Sequence, residues 1–164
     1  MALFNMADLR AALPRHARVL GLDPGSKTVG VALSDVTLLL ASPYGTIKRG
    51  KLKANAAEIS AICAKEDARG LLVGLPLSMD GTRGPAAQAA TDWALALSEA
   101  TGLPVAMWDE RLSSAAVNRA MIEEGDLTRK RRAANVDAAA AAYTLQAALD
   151  ATRPRLEDST LPRY

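Results

Sequence analysis

The order of its apolar runs constrains this chain most. Residues 18–22 form a short apolar run ending in Asp23, and residues 28–33 form a second run rich in β-forming types. Between them Pro24, Gly25 and Ser26 supply turn chemistry, so the pair reads as a β-hairpin. Residues 36–48 make a third run, interrupted by Pro43 and Gly45. Proline cannot donate to a ladder, so this run reads as an edge strand. The period then changes. Residues 51–68 place Leu52, Ala56, Ile59, Ile62 and Cys63 at helical spacing, with Gly70 positioned to end the helix. "LLVGL" is a continuous apolar run, as in a buried strand. Residues 85–101 read as a helix, with Trp93 and Leu97 four apart, and "LPVAMW" as a strand running into Asp109 and Glu110. Residues 113–124 read as a third helix with Ser113 or Ser114 as cap, and residues 134–150 as a fourth made almost wholly of strong helix formers.

The order is therefore β-β-β-α-β-α-β-α-α, a meander followed by units that require parallel crossovers. It matches neither a doubly wound nucleotide fold nor a TIM barrel. It fits an RNase-H-like α/β domain, a five-stranded mixed sheet with helices on both faces. A chain of 164 residues suits one domain. The expected single domain spans residues 1–152, with residues 1–15 weakly structured and 153–164 a loose tail carrying Pro154 and Pro162.

Composition mainly excludes. The single Cys63 and single His16 leave no His/Cys zinc cluster, and Cys63 reads as a small core hydrophobe. No apolar run reaches the roughly 18 residues needed to span a bilayer. Asp8, Arg10 and Arg15 interrupt the N-terminal apolar stretches, against a secretory signal, so the expected location is cytoplasmic with no membrane partner. A net charge of +2 does not by itself indicate nucleic acid, but Arg129, Lys130, Arg131 and Arg132 are consecutive.

Acids at strand ends point to the chemistry. Asp23 closes the first strand, Asp109 and Glu110 close the last, and Asp137 lies near the start of the final helix. In α/β sheets sites form at the carboxyl ends of strands. Carboxylates that converge repel one another unless a cation neutralises them, and oxygen-only donors suit Mg²⁺ or Mn²⁺. Strand-end acids are also common solvated caps, and Asp137 can simply answer a helix dipole.

Four blocks carry a resemblance. "VLGLDPGSKTVGVALSD", "LLVGLPLSMDGTRGPAA", "DERLSSAAV" and "RKRRAANVDAAAAAYTLQ" together resemble the YqgF/RuvX family, RNase-H-like bacterial proteins linked to pre-16S rRNA cleavage and to Holliday junction resolution. The blocks stand in the family's order and are spread over nearly the whole stretch 18–147, from Val19 to Gln146. The resemblance implies a divalent-metal-dependent nuclease. Asp23 in "GLDPGSK" matches the first-strand catalytic aspartate, Glu110 in "DERLSS" the second acid, and Asp137 in "NVDAAAAAYTLQ" the acid of the last helix. Asp109 is the alternative ligand, because adjacent strand residues face opposite ways. The departures are mild. Ser26, Lys27 and Thr28 stand where the family often has a basic pair before Ile-Gly, and Ser113 and Ser114 replace its common Thr pair. The resemblance implies 5′-end processing of pre-16S rRNA on or near the ribosome. Resolution of branched DNA uses the same chemistry and normally needs a symmetric dimer, so both monomer and homodimer stay open. A non-catalytic nucleic-acid or ribosome-binding module is the remaining alternative.

Several cations are candidate phosphate contacts. Lys27 follows the first turn, Arg83 precedes a helix N-terminus, and Arg111 follows Glu110. Lys27 can equally be a solvated turn residue, and Arg111 a partner of Asp109. The run Arg129–Arg132 is expected in a loop before the last helix, where cations oppose the helix dipole and a polyanion would offset that cost. Gly25 and Gly30 read as structural, Gly30 allowing close packing across the sheet.

Overall fold

The structure is a computed structural model. It describes residues 3–76, 82–112 and 129–154, the side chains of 112 and 129–136 excepted. The elements are α1 (Met6–Ala12), β1 (Arg18–Pro24), β2 (Thr28–Ser34), β3 (Ala41–Lys48), α2 (Leu52–Glu66), β4 (Ala68–Leu75), α3 (Pro85–Thr101), β5 (Val105–Asp109), a 3-10 turn (Glu110–Leu112) and α4 (Arg129–Ala151). The sheet order is β3-β2-β1-β4-β5. β1, β2 and β3 pair antiparallel, whereas β4 and β5 run parallel to β1. This is the expected RNase-H-like arrangement, with helices on both faces.

Alternation along each strand divides the core in two. Leu20, Leu22, Val29, Val31, Leu71 and Val73 face α2 and α3, where they meet Ile59, Cys63, Ala94 and Leu97. Burial pushes the Cys63 thiol up to about 11, so it stays protonated and apolar in character. Val19, Ala32, Leu72 and Ala106 face α4 and α1, against Ala141, Leu145, Leu149, Met6 and Leu9. Gln146 fixes α4 over the sheet by donating to the Leu39 carbonyl at 2.8 Å and accepting from the Ala41 N–H at 2.8 Å.

Four expectations differ from the structure. Of the segment expected to be weakly structured, the described residues 3–15 hold α1, which docks by Met6 and Leu9, 2% and 0% exposed, and Asn5 caps it by accepting from the Asp8 N–H at 2.7 Å. Each buried side chain contributes about 1.5–3 kcal/mol, which a seven-residue helix cannot obtain from propensity. α2 ends at Glu66, with Asp67 in the left-handed region at φ 55°, and not at Gly70. Gly70 lies inside β4, where a Cβ would come 2.9 Å from a Leu9 methyl, so its small size admits α1. The third strand begins at Ala41 and not at residue 36, with a register shift opposite Val31 and Ala32 that absorbs Pro43 at the sheet edge. The last helix begins at Arg129, so the basic run forms its first turn and is not a preceding loop. The expected helix at 113–124, its Ser113 or Ser114 cap, residues 77–81 of the "PLSMDGTRG" loop and the tail beyond 154 lie outside the described residues. Among the described residues no helix is long and apolar enough to cross a membrane.

Candidate active site

Asp23 is the sixth residue of β1 and is 8% exposed. In the antiparallel ladder it stands opposite Gly30. On the other side Leu22 pairs with Val73, so one step further sets Asp23 beside Gly74, and Gly74 pairs in turn with Trp108 of β5. Gly21, two residues before Asp23, would place a Cβ 3.1 Å from Leu145, so this row faces α4. Asp23 thus has a glycine on each flank.

Each glycine makes room for an acidic residue. A Cβ on Gly74 would stand 2.5 Å from Glu110 Oε1 and 3.1 Å from its Cγ. The Glu110 side chain therefore lies back over β4, toward the row that holds Asp23. A Cβ on Gly30 would overlap the carbonyl oxygen and carbon of Asp137. α4 approaches β2 at that point, and the Thr28 hydroxyl donates to Asp137 Oδ2. The segments that carry Glu110 and Asp137 thereby pack against the two strands that flank Asp23. Asp23 and Glu110 line a common cleft of about 340 Å³, with Gly25, Ser26, Arg49, Gly74 and the α3 residues Ala86, Ala89 and Ala90. Asp137 is not among the residues lining that cleft. Among the described residues no three His, Cys, Asp or Glu side chains come close enough to hold a metal ion together.

Residues 17–151 match the RuvX family, described as Holliday junction resolvase. The chain belongs to that family. Its relatives include proteins named "Putative pre-16S rRNA nuclease" from Gluconacetobacter diazotrophicus and Acidiphilium cryptum. The first is 64% identical over 93% of this chain and 99% of that protein. The second is 64% identical over 96% of this chain and 100% of that protein. Among solved structures, Thermus thermophilus RuvC in complex with a Holliday junction substrate is 17% identical, with a TM-score of 0.49, over 79% of this chain and 92% of that one.

In this RuvX-family chain the two adjacent acids of "DERLSS" divide. Asp109 ends β5 and is held by Arg111: the Arg111 N–H donates to Oδ1 at 3.0 Å, and its guanidinium reaches Oδ2 at 2.6 Å. The hydrogen bonds from the Arg111 side chain hold the Asp109 carboxyl below the usual carboxylate range, against a smaller opposing effect of burial. Glu110 starts the 3-10 turn, which releases it from strand alternation and lets it fold over Gly74. Lys27 is exposed at the β1–β2 turn. Arg83 donates to Thr91 on the first turns of α3. The side chains of Arg129, Lys130, Arg131 and Arg132 lie outside the described ones. Sequence reasoning missed Arg49 and gave Gly74 no role in the site. Arg49 follows a strand in "KRGK", where it looks like any turn cation.

Proposed function

We propose that this chain is a divalent-metal-dependent nuclease of the cytoplasm. In this reading one domain, residues 1–152, hydrolyses phosphodiester bonds in structured RNA and matures the 5′ end of pre-16S rRNA. The observation that carries the reading is the buried Asp23 between two glycines, with Glu110 laid over one and Asp137 packed on the other. Structural caps have no need of such a cradle. The names of the relatives at 64% identity support RNA as the substrate.

The donor set fits a hard cation. Mg²⁺ is commonly held by one or two carboxylates with water and substrate phosphate filling the remaining positions. Asp23 and Glu110 supply two carboxylates on one cleft. In the proposal they hold Mg²⁺ or Mn²⁺, and Asp137 is the third acid beside them. Such an ion, when bound, lowers the pKa of a water and stabilises a leaving oxygen. The protein's own residues do the rest. The sheet holds Asp23 rigidly, Gly74 leaves space for the Glu110 carboxylate, and Thr28 orients Asp137. Arg111 pairs with Asp109 beside the cleft and is a proposed phosphate contact there. Lys27, Arg83 and the run Arg129–Arg132 are proposed to follow the substrate backbone. Cations in the first turn of α4 oppose its dipole, and phosphates offset that cost. The products are expected to carry 5′-phosphate and 3′-hydroxyl ends.

The test is incubation of purified protein with precursor 16S rRNA and, separately, with a four-way DNA junction, in Mn²⁺ and in chelator. Cleavage of the RNA in Mn²⁺ alone is expected. Junction cleavage without RNA cleavage would reassign the substrate to DNA, and binding of either without cleavage would leave a non-catalytic module.

Gly74→Ala isolates the cradle. The new methyl meets Glu110 Oε1 and comes 3.1 Å from its Cγ, so the rotatable side chain must leave its place over Gly74 while the backbone is untouched. The expected result is cleavage reduced about tenfold or more by a protein that still folds. Wild-type cleavage by this variant would detach Glu110 from the reaction.

A further inference from the structure

Arg49 is held in the cleft by several contacts, and among the described residues it forms no salt bridge with an acid. Its backbone N–H donates to the Lys27 carbonyl at 2.9 Å. Asn55, 1% exposed, brackets it: the Asn55 amide donates to the Lys48 carbonyl at 3.0 Å and accepts from the Gly50 N–H at 3.0 Å. A buried amide with both ends used on the residues either side of position 49 fixes that turn. The guanidinium is held as well. Nη1 donates to the Gly25 carbonyl at 2.6 Å, and the Arg49 Cζ lies 5.9 Å from the centre of the Trp93 ring. Among the described residues the side chain makes no other hydrogen bond, so most of its five N–H donors are uncommitted. It lines the same cleft as Asp23 and Glu110.

A guanidinium that lies over an indole and donates to one carbonyl is partly ordered before any ligand arrives. Its planar fork suits two oxygens of one phosphate, and binding there costs little further ordering. We propose that Arg49 is a substrate-binding residue that grips a backbone phosphodiester of the nucleic acid lying in the cleft. The turn between β1 and β2, the β3–α2 turn and Trp93 of α3 form its mount. The proposal rests on the nuclease reading only for the location of the substrate, since a phosphate grip would serve a non-catalytic binder too.

The experiment uses the full chain carrying Asp23→Asn, so that the probe survives, and measures binding of a fluorescein-labelled RNA stem-loop across a salt series. Adding Arg49→Gln is expected to weaken binding about tenfold or more and to reduce the salt slope by about one phosphate contact. Arg49→Lys should keep the slope and recover only part of the affinity, because an ammonium lacks the fork. Unchanged affinity and slope in Arg49→Gln, with only a lower melting temperature, would show that Arg49 merely braces the turns and would overturn the proposal. If the unmodified protein fails to cleave RNA in Mn²⁺ while Arg49→Gln still reduces the slope, the nuclease reading falls and the phosphate grip stands. Cleavage with an unaltered slope gives the reverse.

Discussion

Asp23→Asn is expected to lower metal-dependent cleavage of precursor RNA about a thousandfold while leaving the protein folded. A carboxylate that holds a catalytic cation underlies several kcal/mol of charge stabilisation in the transition state, and each ~1.36 kcal/mol is tenfold in rate. The amide is nearly isosteric, so packing at this 8%-exposed position is kept. The thermal melt should therefore still show one cooperative unfolding of a folded protein. Cleavage time courses in Mn²⁺ and a thermal melt check both halves. A wild-type rate in the variant would remove Asp23 from the chemistry. Loss of folding would show instead that the aspartate is structural.

The second large effect concerns stability. Gly30→Ala should cost about 3 kcal/mol or more, because the added methyl overlaps the Asp137 carbonyl and not a movable side-chain end. For a chain of this size that is roughly 6–12 °C in melting temperature. The backbone of α4 must lift from β2, which also carries the Thr28 contact to Asp137 away from Asp23. Gly45→Ala is the matched control, since nothing lies within 4 Å of a Cβ there. Equal melting of the two variants would contradict the close approach of α4 to β2.

These two glycines show how much the sequence discloses. Gly30 is readable as a close-packing residue because it interrupts a run of β-formers that should otherwise carry side chains. The meander and the parallel units are also legible, since periods of two and of three to four residues alternate plainly along the chain. Gly74 is not legible as part of the site. Its role depends on Glu110, thirty-six positions away, being released from strand alternation by a 3-10 turn. The docking of α1 is hidden for a similar reason. Its partner is the gap above Gly70, which appears only once β4 is in place. The start of α4 at Arg129 defeats local reasoning, because four adjacent cations look like a loop when dipole and charge are considered without the rest of the fold. Arg49 is hidden because its mount comes from three separate elements. The division between Asp109 and Glu110 is half visible: alternation says that one acid must turn away, but not which one Arg111 takes.

The central claim is that Asp23 and Glu110 share one divalent ion. Titration of Mn²⁺ into the purified protein, followed by electron paramagnetic resonance of the free ion, tests it without substrate. Binding by the unmodified protein that weakens at least about tenfold in both Asp23→Asn and Glu110→Gln is the predicted result. The same Mn²⁺ affinity in all three proteins would contradict it.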